Sequence, residues 1–200
     1  MQKQEFINKI LPKALEGLKK YNILPSITIA QAILESNWGK SSLSMKFNNL
    51  FGIKARSNTR KATNMKTNEY INGKKIQITA KFKAYDTFID SIQDHNILLG
   101  EAKRYERVRN SKDYKEAARA LQKCGYATDP KYPDKLIQII EQYKLYEYDY
   151  DNNTISDFAT KAYEFVTENN ISDGSRPKDP ATREEIWVMI YRLHKFLDKQ

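Results

Sequence analysis

A chain of 200 residues supports one well-packed domain with a small appendage and falls short of two full-sized domains. Charged residues at 30% and aromatics at 12% exclude compositional disorder and membrane embedding, so a soluble globular body is expected. The net charge of +9 is uneven: residues 1–147 carry 27 Lys or Arg against 15 Asp or Glu (+12), and residues 148–200 carry 7 against 10 (−3).

Phe6, Ile7, Ile10, Leu11, Ala14, Leu15 and Leu18 recur at three- and four-residue spacing, which predicts an amphipathic helix that Pro12 is placed to kink. After a break at Asn22–Pro25, Ser26 is positioned to cap a second helix carrying Ile29, Ala30, Ile33 and Leu34, with Gly39 beyond its end and Glu35 in its last turn. From Thr67 to Lys83 the pattern changes to alternation on both sides of Asn72-Gly73, a dipeptide that favours a tight hairpin turn. Helical periodicity returns at Thr87–Leu99, at Tyr114–Leu121 with Gly125 after it, and at Lys135–Tyr143. Residues 147–156, EYDYDNNTIS, are polar and acidic and coincide with the reversal of charge, which predicts a linker. Beyond it come a short helix (Phe158, Ala162, Phe165, Val166), the turn-rich ISDGSRPKDP, and a helix with Ile186, Met189, Ile190, Leu193 and Leu197, whose start has Thr182 and Glu185 at capping-box spacing. The fold class is mainly α (α+β): a helical body with a small β-hairpin lobe, and a C-terminal helical hairpin. The boundaries are 1–147 for the body, 148–156 for the linker and 157–200 for the C-terminal module.

The basic field of residues 1–147 attracts polyanions, whether nucleic acid, anionic lipid or a wall polymer bearing phosphates and carboxylates, and charge alone does not choose among them. Cys124 is the only cysteine, which excludes an intramolecular disulfide and a cysteine-based metal site. The two histidines, His95 in a helical run and His194 near the C-terminus, make a nucleophilic triad or a metal centre a poor expectation. No apolar stretch approaches the ~20 residues needed to span a bilayer. The first residues, MQKQEFINKILPKAL, lack a continuous apolar core and a small-residue cleavage site, so no signal peptide is expected. No cofactor is called for.

Glu35 follows the apolar run IAQAIL and precedes Ser36-Asn37-Trp38-Gly39. A carboxylate beside a buried helix face is partly desolvated, which disfavours its charged form and raises its pKa. A general acid for glycosidic cleavage needs that property. A glutamate near a helix end is more often a solvated surface residue, and its neighbours are what change the odds.

The run AQAILESNWGKSSLS, with NNLFGIK at Asn48–Lys54, TNEYINGKKIQITAKFKAYDTFIDSIQDH and GYATDPKYPDKLIQII, resembles the glucosaminidase-domain peptidoglycan hydrolases of autolysins, phage endolysins and flagellar muralytic proteins. The resemblance covers roughly Leu15 to Tyr146 in unbroken order. It implies a lysozyme-like helical body and endo-β-N-acetylglucosaminidase action on the glycan strands of bacterial peptidoglycan. Carried over by motif, the catalytic acid falls on Glu35, the second carboxylate on Glu69 in TNEYINGK, and the active-site tyrosine on Tyr126 in GYATDP. Either Glu69 activates water, or the 2-acetamido oxygen of the sugar acts as nucleophile with Tyr126 orienting it; substrate assistance is the favoured route. Trp38, Phe47, Tyr85 and Tyr132 offer flat faces for sugar rings, and Asn48 and Asn49 offer amides for sugar hydroxyls. Phe51 and Phe88 are read as core. The rival readings are an N-acetylmuramidase on the same polymer and a basic polyanion binder without turnover; no nucleic-acid motif is visible.

The tail from Phe158 to Leu197 resembles a single S-layer homology unit, chiefly in AYEFVTENNISDGSRPKDPATREEIWVMIYRL. This implies attachment to a secondary cell-wall polymer; a homodimer element and a hairpin packed on the body are the alternatives. The combination suits an endolysin that accumulates in the cytoplasm and reaches the wall by holin-dependent or other non-classical release, or an autolysin.

Overall fold

The computed structural model describes residues 2–71, 74–149, 157–174 and 181–198, by backbone only at 67–71, 74–76 and 157. The chain divides into two compact units, 1–149 and 150–200.

In the first unit, α1 (Lys3–Tyr21) buries Phe6, Ile7, Ile10 and Ala14 along one face and runs unbroken through Pro12. Helix α2 (Pro25–Ser36) is buried at every position from Pro25 to Ile33, the polar Ser26, Thr28 and Gln31 included. It ends in three consecutive left-handed residues, Asn37, Trp38 and Gly39, at φ 48°, 61° and 72°. The Ser36 hydroxyl fixes that reversal by donating to the Ala32 carbonyl and accepting from the Gly39 N–H at 2.7 Å. Glu35 is thereby held at a defined place, one residue before the chain turns.

A short α3 (Ser42–Phe47) leads to a tight turn and then to strands β1 (Ala62–Ile71) and β2 (Lys74–Lys83), which pair antiparallel from Ala62↔Lys83 to Ile71↔Lys74. The hairpin is longer than the alternation of Thr67–Lys83 suggests, and its turn, Asn72-Gly73, lies outside the described residues. Helix α4 (Phe88–Glu101) begins with a capping box between Thr87 and Asp90 and packs on α1. The two helices meet closely at Gly17, where a Cβ would stand 2.9 Å from the Asn96 side chain. Next come a 3-10 turn at Lys103–Tyr105, α5 (Glu106–Arg109), α6 (Tyr114–Lys123) and α7 (Tyr132–Gln142). A continuous core joins Ile27, Ile29, Ala30 and Ile33 of α2 to Ile92 and Leu99 of α4, Leu121 of α6, and Leu136 and Ile140 of α7.

Two local expectations are corrected. Ser26 does not cap α2, because Pro25 already occupies the first turn; the cap is supplied by Asp149, whose carboxylate accepts from the Ser26 N–H at 2.8 Å and hydroxyl at 2.6 Å. The residues read as the start of a linker, Tyr148 and Asp149, therefore belong to the first unit, in a 3-10 turn (Leu145–Asp149) laid on α2. Residues 150–156, the rest of that linker, lie outside the described residues.

Burial lifts the Asp149 carboxyl to about 6 against the opposing bonds from Ser26. A folded-state value above the unfolded one means that the native protein holds this proton more tightly. Its contribution to stability is present in full below about pH 4 and falls as pH rises toward 6. Asp149→Ala is expected to lower stability by about 1 kcal/mol, the usual cost of losing an N-terminal cap, and to remove that slope; urea unfolding midpoints between pH 4 and 7 measure both.

The second unit contains a 3-10 turn (Asp157–Ala159), α8 (Thr160–Glu168) and α9 (Arg183–Leu197). The capping box of Thr182 and Glu185 forms as its spacing predicts. Neither helix has a buried residue; Trp187, Ile190 and Tyr191 of α9 are about 60% exposed. Among the described residues no helix is long and apolar enough to cross a membrane.

Candidate active site

The last turn of α2 opens onto a groove of about 960 Å³. One wall carries Tyr126, Asp129, Tyr132 and Lys135 from the α6–α7 connection and the start of α7. Phe51, Lys54, Arg56, Phe82 and Lys83 line it from the turn after α3 and the base of the hairpin, and Arg104 and Tyr105 from the 3-10 turn before α5.

Glu35 reaches this groove with its side chain open to solvent, yet protein crowds the carboxyl on the other sides. That crowding raises its pKa; a hydrogen bond from Tyr132 and the charge of Lys135 pull the other way without cancelling it. The Tyr132 hydroxyl donates to Glu35 Oε1 at 2.8 Å. It accepts in turn from Gln31 Nε2 at 3.0 Å. Gln31 lies one helical turn before Glu35, so both project from the same face of α2. With its Nε2 engaged by Tyr132, Gln31 faces His95 Nε2 with its oxygen, at 3.0 Å. His95 Nε2 must therefore carry the proton and donate it.

His95 is fully buried, its ring stacked on Phe51 at 3.9 Å between centroids. Burial pulls its pKa down to about 3, against weaker opposition from Asn96 and Asp94, so the ring is neutral over the working pH range. Tyr126 follows Gly125, whose φ of 74° suits glycine and swings the next side chain into the groove. Its ring meets His95 edge-on, stacks on Tyr132 and tilts against Tyr105. Burial and the negative charge of Glu35 hold the Tyr126 hydroxyl well above its ordinary pKa, so it stays a proton donor. Asp129 is committed elsewhere: it pairs with Lys135 at 2.6 Å and accepts from the Lys131 N–H, which lowers its pKa.

Of the residues singled out in the sequence, Glu35, Tyr126 and Tyr132 come together here. The side chain of Glu69 lies outside the described residues; its backbone is on β1, opposite Ile76. Trp38 lies away from the groove lining, packed edge-on against Phe6 and Tyr143 with the Lys3 ammonium over its ring. Phe47 is half-buried outside the lining, its carbonyl accepting from the Tyr85 N–H. Asn48 caps α3 in a left-handed conformation and donates to the carbonyls of Tyr85 and Asp86. Asn49 is buried and spends its whole amide on the turn, donating to Ile53 and Lys83 carbonyls and accepting from the Phe51 and Ile53 N–H groups. Tyr85 donates to Asp94 at 2.6 Å beside a second cavity, of about 700 Å³, which meets the groove at Thr59 and Lys83. Phe51 is both core and groove wall.

Gln31 and His95 are site residues that the sequence does not mark, His95 standing there only as a poor candidate for a triad. The i,i+4 spacing of Gln31 and Glu35 was the available signal; the contact of Gln31 with His95, 64 positions away, had none.

The glucosaminidase family model, described as mannosyl-glycoprotein endo-beta-N-acetylglucosaminidase, matches residues 11–145. The chain belongs to the glucosaminidase family. Among glucosaminidase relatives it is similar to the exo-glucosaminidase LytG of Bacillus subtilis (strain 168), 47% identical over 159 residues, covering 77% of this chain and 56% of LytG. It is 39% identical over 154 residues to a probable N-acetylmuramidase of Lactococcus lactis subsp. cremoris, covering 73% of this chain and 35% of that protein. The catalytic domain of the autolysin Auto from Listeria monocytogenes superposes with a TM-score of 0.64 at 42% identity, covering 74% of this chain and 87% of that domain. This chain thus spans little more than half of LytG and about a third of the lactococcal protein. The mainly helical body with a two-stranded antiparallel sheet is the lysozyme-like fold of glucosaminidases.

Proposed function

We propose that this glucosaminidase is an endo-β-N-acetylglucosaminidase that cuts the glycan backbone of bacterial peptidoglycan, with Glu35 as general acid. The observation that carries the reading is the Glu35 carboxyl itself: it faces an open groove, burial raises its pKa, and one of its oxygens is already held by Tyr132. Membership of the family and the names of its relatives, an exo-glucosaminidase, a probable N-acetylmuramidase and an autolysin, support the substrate class. The groove's size, at the upper end of the ~300–1,000 Å³ range of small-molecule pockets, suits several sugar units rather than one. Its lining is net basic, with Lys54, Arg56 and Arg104 beside Lys83 and Lys135, which pair with Asp94 and Asp129, and this suits a polymer that carries carboxylates.

In the reaction, protonated Glu35 gives its proton to the glycosidic oxygen as the C1–O bond breaks. The acetamido oxygen of the same sugar attacks C1, and the Tyr126 hydroxyl orients that group. Water then adds at C1 as the bond from C1 to the acetamido oxygen breaks, which regenerates the acetamido group, and the water gives a proton to the Glu35 carboxylate, which restores the acid. Asp129 is held by Lys135 and so is a poor second carboxylate. The competing route uses Glu69 to activate water. Glu69→Gln is expected to cause a milder loss than Glu35→Gln; near-complete inactivation, with the hairpin unchanged by NMR, would favour the two-carboxylate route.

Purified walls incubated with the protein are expected to lose turbidity and gain reducing ends. Sedimentation of the protein with walls that never clear would establish a binder in its place. For residues 157–200 we propose attachment to a secondary cell-wall polymer. The support is the resemblance of that stretch to an S-layer homology unit and the exposed aromatic and aliphatic side chains of α9.

A further inference from the structure

Behind Glu35, helices α2, α4 and α7 each contribute one member to a single file of hydrogen bonds. His95 Nε2 reaches Gln31 Oε1 at 3.0 Å, Gln31 Nε2 reaches the Tyr132 hydroxyl at 3.0 Å, and that hydroxyl reaches Glu35 Oε1 at 2.8 Å. Gln31 and His95 are both fully buried and neither lines the groove, so they touch no substrate. A buried amide and a buried imidazole are costly in an apolar core unless their bonds are made, and here each makes the bond that serves the next.

The file has a direction. The Tyr132 oxygen accepts a hydrogen bond from Gln31 Nε2, so its own O–H is turned toward Glu35. The Gln31 amide is held in that orientation by the proton on His95 Nε2. Reversing the file would place the histidine proton on Nδ1, which is buried and makes no hydrogen bond among the described residues. A charged Glu35 can only accept, so the 2.8 Å contact places the Tyr132 proton on its side, and the forward direction follows from that.

We propose that Gln31 and His95 are positioning residues for the acid: their one-way file aims the Tyr132 proton at Glu35 Oε1 and thereby reserves Oε2 for the proton delivered to the glycosidic oxygen. The inference rests on Glu35 being the acid. It explains why a tyrosine contacts a catalytic carboxyl without taking its proton, and why polar side chains occupy the contact between α2 and α4.

The test is titration of the Glu35 carboxyl by 13C NMR in the free protein, together with the pH profile of kcat on soluble glycan. The variants are Gln31→Met, which keeps length and removes the amide, His95→Phe, which keeps a ring on Phe51 and removes the donor, and Tyr132→Phe. The bond from Tyr132 stabilises charged Glu35, so weakening it raises the carboxyl pKa. The acid form is the active one, so the alkaline limb of kcat moves to higher pH with it. The ionisable groups that line the groove with Glu35, namely Lys135, Asp129 and the neutral Tyr126 on one wall, Lys54, Arg56 and Lys83 on another, and Arg104 and the neutral Tyr105 on the 3-10 turn, are the same in all variants. All three variants are expected to shift the titration upward, with kcat falling about tenfold and KM little changed. In a Tyr132→Phe background, Gln31→Met is expected to add nothing, because its effect passes through the missing hydroxyl. An unmoved Glu35 titration in Tyr132→Phe, or in whichever of Gln31→Met and His95→Phe folds, overturns the proposal, as does full additivity with Tyr132→Phe. An inactive Glu35→Gln with an unmoved titration sinks this inference alone; an active Glu35→Gln sinks the reading beneath it.

Discussion

Glu35→Gln is expected to reduce wall lysis by about 10²–10⁴-fold, the usual cost of removing a positioned general acid, while folding and wall binding stay close to wild type. The amide keeps the shape of the carboxyl and can still accept from Tyr132, so the groove should be undisturbed. The wild-type pH profile carries the same argument. Desolvation raises the Glu35 pKa above the ordinary glutamate value, so activity should persist to a higher pH than an unperturbed carboxyl allows and fall as pH rises through that raised value. The glutamine variant should lose this alkaline limb altogether. A variant that keeps more than about a tenth of wild-type activity would remove Glu35 from the mechanism.

Tyr126→Phe is expected to cost about 10²-fold in kcat with little change in thermal stability. The ring is held by His95, Tyr105 and Tyr132, and phenylalanine preserves all three contacts. What is lost is a hydroxyl that burial keeps protonated in the groove beside Glu35. If that hydroxyl orients the acetamido group for attack on C1, its removal degrades an intramolecular reaction whose rate depends steeply on geometry. Steady-state rates on N-acetylglucosamine oligomers check this. Activity near wild type would release Tyr126 from the acetamido step.

The parts of this molecule that were readable from sequence are those whose cause is local. The periodicities of α1, α4 and α6 and the capping box of α9 lie within a few residues of the structures they produce. Glu35 was legible because the apolar run before it fixes a buried helix and the residues after it end that helix. What was not legible depends on distant partners. Asp149 caps α2 from 123 positions away, so Ser26 looked like the cap and the segment after residue 147 looked like linker. Asn48 and Asn49 were equally compatible with sugar binding and with turn bracing, and only the positions of the Ile53, Lys83, Tyr85 and Asp86 carbonyls decided for bracing. Trp38 offers, by residue type, a flat face for a sugar ring, but three left-handed residues turn the chain there and carry its ring to Phe6 and Tyr143. The short helices α3 and α5 offer too few turns for a periodicity to show.

The central claim is tested most directly by the sugar left at the new reducing end. Muropeptides from walls digested with this protein, reduced with borohydride and weighed by mass spectrometry, are expected to be multi-residue fragments ending in reduced N-acetylglucosamine. Fragments ending in reduced N-acetylmuramic acid would contradict the account.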